Sequence, residues 1–332
     1  MLGFCTSPRF VEHDTGADHP ERADRIRAIF AAVRAAGLVG SPNPLGEFPL
    51  EFDVLPAGRP VLEIEPQIAD PMWLATVHPP AYVESVRKRC AQGKGLLDEE
   101  DTMVCPASFE IALLSVGAAL TCADAVATGQ VRRAFAAVRP PGHHALAERA
   151  MGFCLFANVA IAARYLQVRH RVERIAIVDF DVHHGNGTQA CFESDPNVLF
   201  VSLHQDPRTC YPGSGYEWEI GVQAGRGFTL NVPLPPGTGD VEYLQAMRQR
   251  VIPALDDFHP EMLLLSAGFD AHRNDPLADL RLTEEGFAQI TDLLVESAQQ
   301  NCDGKILSVL EGGYHLKALA QSVVRHMIAM QG

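Results

Sequence analysis

Ile175-Ala176-Ile177-Val178-Asp179-Phe180-Asp181-Val182-His183-His184-Gly185-Asn186-Gly187 is the stretch whose reading decides the fold. It opens with an apolar run rich in β-branched residues, which predicts a strand buried on both faces. Such strands belong to parallel sheets covered by helices on each side. The acids and histidines begin where the apolar run stops, and in open α/β sheets ligands bind outside the carboxyl ends of strands. If the backbone stays extended over Arg174–Asp181 and beyond, Asp179, Asp181 and His183 project to one side. Asp181 and His183 can then hold one metal ion. Two buried acids without a cation would repel one another and lose their hydration. The plainer alternative is that they cap the following helix.

The same pattern recurs outward from this segment. Arg133–Val138, Val198–His204, Met262–Ala267 and Lys305–Leu310 read as further strands. Arg22–Ala36, Pro106–Thr128, Asn158–Val168, Asp240–Asp257, Thr283–Gln300 and Leu316–Met330 read as helices, with Asp240 a candidate cap. The alternation predicts one α/β domain over residues 1–332, an open and mostly parallel sheet between helical layers. Ser41–Pro80, dense in proline, reads as surface loops with short helices. Gly93–Asp101, carrying Asp98, Glu99, Glu100 and Asp101, reads either as a loop on the rim of a site or as a solvated acidic turn.

Three other strand ends carry chemistry. Asp270, after Met262–Ala267, offers a third ligand beside Asp181 and His183, and three ligands with an open position mark a catalytic metal. Two carboxylates and one imidazole suit zinc and leave ferrous iron and cobalt open. Arg133–Val138 leads through Pro140-Pro141-Gly142 into His143-His144, a turn that aims two imidazoles at the mouth of the sheet. Glu311-Gly312-Gly313-Tyr314 follows the last strand. The glycines permit close backbone approach, and the Tyr314 phenol is placed to donate to an oxyanion or, alternatively, simply to pack.

With 332 residues, 47% of them hydrophobic and 20% charged, the chain can bury one large core. The net charge of −14 and the scattered Lys and Arg argue against a nucleic-acid binder. Met1-Leu2-Gly3-Phe4-Cys5 shows no basic segment leading into an apolar core, and no uninterrupted apolar run reaches the roughly 18 residues of a membrane span. A cytoplasmic protein away from membranes is expected. The eight cysteines form no C-x-x-C pair, as reduced thiols would not. A homo-oligomer is left open.

Taken together, His19-Pro20-Glu21-Arg22, Val138–His144, Met151-Gly152-Phe153-Cys154, Asp179–Thr188, Val201–His204, Ser266–Asp270 and Glu311–Tyr314 give the chain its family character. The sequence resembles the zinc-dependent histone deacetylases, in particular class II and its bacterial deacetylase-like and acetylpolyamine amidohydrolase relatives. The resemblance implies an arginase-like α/β fold and removal of acyl groups from lysine side chains by metal-activated water. It implies zinc on Asp181, His183 and Asp270, and a tunnel lined by Gly152, Phe153 and Tyr211, with Gly312 assigned to the same substrate site. Potassium is implied on Asp179, Ser202 and the backbone carbonyls of Asp181, His183 and Leu203. His144 takes the part of base, His143 pairs with Asp179, and Tyr314 serves the oxyanion. Asn186 stands where class I enzymes carry an aspartate.

Two competitors remain on the sequence. A ureohydrolase needs a second metal, but Gly185 occupies the position where an aspartate would complete Asp-x-His-x-Asp, leaving His272 as a stray candidate ligand. A binding module without chemistry would not need His143, His144 and Tyr314 together. Leu277, following Asp275-Pro276, favours an uncharged acyl-lysine peptide over a polyamine, whose distal ammonium would require a carboxylate there. Asp101 is implied, again by resemblance, to accept the backbone N–H groups of that peptide.

Overall fold

The computed structural model describes residues 1–53, 55–97 and 101–332, so Asp98, Glu99 and Glu100 of the expected rim segment lie outside the described residues. Its strands are β1 (Leu2–Cys5), β2 (Leu62–Ile64), β3 (Gly95–Leu96), β4 (Met103–Val104), β5 (Arg133–Ala136), β6 (Ile175–Asp179), β7 (Val198–Gln205), β8 (Thr229–Leu234), β9 (Met262–Ala267) and β10 (Ile306–Leu310). Eight of these form one sheet in the order β2-β1-β5-β10-β9-β6-β7-β8, parallel at every pairing. β3 and β4 make a separate antiparallel hairpin that presents Asp101.

Every residue of β5, β6, β7, β9 and β10 is buried, as expected of strands covered on both faces. Helix Ser108–Ala127 packs against Asn158–His170, while Leu316–Ala329 packs between Asp24–Ala35 and Glu284–Asn301. By length and composition alone Ser108–Ala127 would pass for a membrane-crossing helix. It is 78% buried inside the protein, and its apolarity serves the core.

The sequence misses three strands of the sheet for identifiable reasons. β1 is four residues long and contains a glycine, and β2 is three residues at a sheet edge in the proline-dense region. β8 is the opposite edge and carries Pro233, which an edge tolerates because one side of it makes no ladder bonds. The expected helix Asp240–Asp257 is broken by a π-turn at Met247–Val251. Gly239, not Asp240, caps it. The Asp240 carboxylate instead accepts the backbone N–H of Thr283 at 2.9 Å and its hydroxyl at 2.6 Å.

A buried ion network ties the irregular N-terminal segment to the sheet. Arg139, just beyond β5, donates to Glu21 from Nη2 at 2.7 Å and to the carbonyls of Phe10 and His13. Arg25 donates to Glu21 at 3.1 Å and to the carbonyls of Glu311 and Gly313 beyond β10. Burial alone would raise the Glu21 carboxyl, but the charge of Arg139, its hydrogen bond and the charge of Arg25 bring it down to about 2. Removing one partner from such a network strands the others without solvent. Glu21→Gln should therefore lower folding stability by about 3–5 kcal/mol, read from the midpoint of urea unfolding, while an exposed-pair variant such as Glu84→Gln should change it little.

Candidate active site

β6 stops at Asp179, and residues 181–183 form a bend rather than the extended strand the sequence predicts. Asp179 accepts the Asp181 N–H at 3.2 Å, and Asp181 accepts the His183 N–H at 2.9 Å, so each acid folds the next step of chain back on itself. Asp181 and His183 therefore converge through a bend and not through strand alternation. The helix that follows, Asn186–Phe192, has Gly185 at its cap, so the acids are not capping groups.

Asp270 completes the cluster from the end of β9. His183 Nδ1 lies 3.1 Å from Asp181 Oδ1 and 3.2 Å from Asp270 Oδ2, and ligand atoms of all three residues fall within 4.8 Å of one another, all buried. The remaining oxygens are held by backbone: Val182 N–H donates to Asp270 Oδ1 at 2.9 Å and Gly312 N–H to Asp181 Oδ2 at 2.8 Å. Close approach makes glycine necessary here. A Cβ on Gly268 would stand 2.1 Å from Asp181 Oδ2, and one on Gly312 would stand 2.0 Å from Asp270 Oδ2. Two carboxylates and an imidazole aimed at one point, in a cradle of glycines, fit a divalent cation with an open coordination position.

His143 and His144 are brought in by the loop after β5. Glu311 Oε2 accepts the N–H groups of Gly142 at 2.7 Å and His143 at 3.1 Å, fixing that loop against β10. His143 Nδ1 is 3.0 Å from Asp179 Oδ2, and His144 Nδ1 is 2.7 Å from Asn186 Oδ1. Their environments push them apart. Burial opposes charge on His143, but the carboxylates of Asp181 and Asp179 outweigh it and push the imidazole up to about 10. On His144, burial and then the positive charge of His143 and His183 hold the ring well below its ordinary value. A neutral His144 that donates from Nδ1 to Asn186 keeps a lone pair on Nε2.

His144 and His183 face a cavity of about 220 Å³ lined also by Asp101, Gly152, Phe153, Tyr211, Leu277 and Tyr314. Gly152 and Phe153 both take left-handed backbone, φ 56° and 67°, which turns the Phe153 ring edge-on to Tyr314 at 5.8 Å. Tyr211 stands edge-on to His144 at 5.1 Å. Burial and then the charge of Asp270 hold the Tyr314 phenol well above its ordinary value, so it keeps its proton as a donor.

The structure thus brings together His143, His144, Asp179, Asp181, His183, Asn186, Asp270 and Tyr314, with the expected tunnel residues around them. Gly312 sits beneath the acids, holding Asp181. Ser202 pairs with Asp179 across β6 and β7, with Leu203 next to it, and its hydroxyl meets His204 Nδ1 at 2.9 Å. His272 points elsewhere, 3.4 Å from Glu284, and a Cβ on Gly185 would strike Asp179 at 2.1 Å, so the second-metal arrangement does not form. Sequence reasoning missed Glu311 and Arg25 as supports of the site. It also missed His19, which stacks edge-on against Phe153 at 4.7 Å.

An all-parallel sheet with an acid–histidine–acid cradle and a paired-histidine loop at its carboxyl ends defines the arginase-like deacetylase fold. The Histone deacetylase domain family matches residues 19–330, and the chain belongs to that family, as an amidohydrolase. It is 46% identical over 243 residues to the histone deacetylase-like amidohydrolase of Pseudomonas aeruginosa, a match covering 73% of this chain and 63% of that protein's length. A probable deacetylase of Archaeoglobus fulgidus is 37% identical over 333 residues, 100% of this chain and 87% of the other. The crystal structure of the HDA15 HD domain superposes with a TM-score of 0.87 at 34% identity, covering 99% of this chain and 89% of that one.

Asn186→Asp replaces a neutral acceptor on His144 with a carboxylate, which favours the imidazolium. If His144 is the base, the acid limb of the kcat/KM pH profile should then move upward by about one unit, since the ring would stay protonated up to a higher pH. An unmoved limb would remove His144 from that role.

Proposed function

We propose that the protein is a zinc-dependent hydrolase that removes acetyl or longer acyl groups from lysine side chains of peptides or proteins. The observation that carries this reading is the convergence of His144, His183 and Tyr314 on one narrow cavity walled by Phe153 and Tyr211. Asp181, His183 and Asp270 would hold a single zinc ion, which when bound supplies Lewis-acid polarisation of the amide carbonyl and of a water molecule.

The chain's own groups do the rest. His144 accepts a proton from the water at Nε2 and returns it to the leaving amine, its ring held by Asn186. Tyr314 donates its O–H to the developing oxyanion, and the His143 imidazolium, anchored on Asp179, adds positive field beside it. Phe153 and Tyr211 hold the aliphatic stem of lysine and exclude water from the cavity. A potassium ion fits this reading on Asp179, Ser202 and the carbonyls of Asp181, His183 and Leu203. The parallel register of β6 and β7, which sets Asp179 beside Ser202, supports it. Eight free thiols support a reducing compartment, which we take to be the cytoplasm.

A strong chelator should abolish hydrolysis, and one equivalent of zinc per chain should restore it; full activity of the metal-free protein would end this reading. Asp181→Ala and Asp270→Ala should lose zinc, measured by elemental analysis, in step with rate.

Leu277 at the cavity mouth is apolar and 39% exposed, which favours an acyl-lysine carried in a chain, with Asp101 accepting its backbone N–H groups. At physiological salt, kcat/KM for an acetyl-lysine peptide should exceed that for N-acetylputrescine and N8-acetylspermidine, and Leu277→Glu should shift the ratio toward the polyamines. A polyamine preference in the unaltered protein would reverse the substrate assignment.

A further inference from the structure

Asp275 lies five positions beyond the cluster ligand Asp270 and is buried, yet its carboxylate is occupied by backbone rather than by substrate or cluster. Oδ2 accepts the N–H of Tyr314 at 2.7 Å and that of His315 at 3.3 Å. Oδ1 accepts the N–H of Leu277 at 3.1 Å. A carboxylate out of water is costly unless its lone pairs are filled; three backbone donors meet that cost in part, and burial followed by the charge of Asp270 still pushes the carboxyl up to about 7. The first turn of helix Leu316–Ala329, directly after these donors, adds a favourable dipole.

The segments tied together are the two that bracket the cavity: the turn that carries the Tyr314 donor and the loop that carries the Leu277 gate. The Tyr314 turn has little stiffness of its own. It follows Gly312 and Gly313, the latter at φ 118°, where no side chain restrains the backbone. Its carbonyl side is held by Arg25, whose Nε donates to Gly313 O at 2.7 Å, and its N–H side by Asp275. Fixing a catalytic donor to within a fraction of an ångström requires such supports, because small misplacements cost large factors in rate.

We propose that Asp275 is a positioning residue that holds the Tyr314 hydroxyl in register with the reacting carbonyl and couples it to the Leu277 gate, a role that rests on the oxyanion function assigned to Tyr314 above. Asp275→Asn preserves shape but turns an N–H₂ group toward one set of backbone donors, so one anchor is lost.

The test is a double-mutant cycle on the zinc-loaded enzyme with a short acetyl-lysine peptide. Tyr314→Phe should lose roughly 100-fold in kcat. Asp275→Asn should lose about tenfold or more in kcat with KM changed by less than about twofold, and the double variant should be no slower than Tyr314→Phe alone. An equal loss from Asp275→Asn in both backgrounds would overturn the proposal, as would loss of zinc from that variant, which would place its role with Asp270. Asp275→Glu keeps the charge and displaces the acceptor; it enters the same cycle if the Asn variant does not fold, and wild-type kcat in Asp275→Glu would also overturn the proposal. Near wild-type kcat in Tyr314→Phe would instead refute the oxyanion reading itself, and the positioning role with it.

Discussion

The site is organised by the cost of holding Asp179, Asp181 and Asp270 together out of water. Charges in so dry a place are tolerated only when every oxygen has a donor or a cation. The chain meets this with backbone: the N–H groups of Asp181, Val182, His183 and Gly312 are each directed at one of these carboxylates. Those amides are free to do so because the strands have just ended and their ladder bonds have stopped. A parallel sheet delivers several such ends to one edge, so its topology and the clustering of acids are two aspects of one arrangement.

The same constraint explains the unequal pair of histidines. His143 lies nearer the acids and becomes their counter-charge, while His144, held down first by burial and then by the charge of His143, stays neutral. Adjacent, chemically identical side chains acquire opposite protonation states from position alone. Gly268 and Gly312 follow from it as well, since any side chain at either position would drive into a carboxylate.

What was legible in the sequence was whatever depends on short-range pattern. The apolar runs of β5, β6, β7, β9 and β10 announce themselves, and the polar residues after them include the three residues of the buried acid–histidine–acid cluster, both histidines of the paired loop and Tyr314. Three kinds of feature were hidden. β1, β2 and β8 are too short, or too interrupted by Gly3 and Pro233, to show a period. The end of β6 is set by hydrogen bonds from Asp179 and Asp181 to following amides, which a periodic reading extends past their true limit. Glu311, Arg25 and Asp275 act on backbone groups distant in sequence, and a buried charge looks like any other until the chain is folded. Gly312 was assigned to the substrate site by resemblance alone; that its N–H is given to Asp181 is visible only in the folded chain.

The walls of the cavity come from five separate stretches of chain: Asp101 from a hairpin, Phe153 and Tyr211 from two loops, Leu277 from the segment after β9, and Tyr314 from the turn after β10. The acid cradle, by contrast, is knitted into strand ends that cannot shift without unpicking the sheet. Tolerance to change is thus partitioned: rim loops can exchange residues, lengthen or change charge while the buried cluster is left as it is. The entrance of this scaffold can therefore be altered one loop at a time without disturbing the buried core that the loops surround.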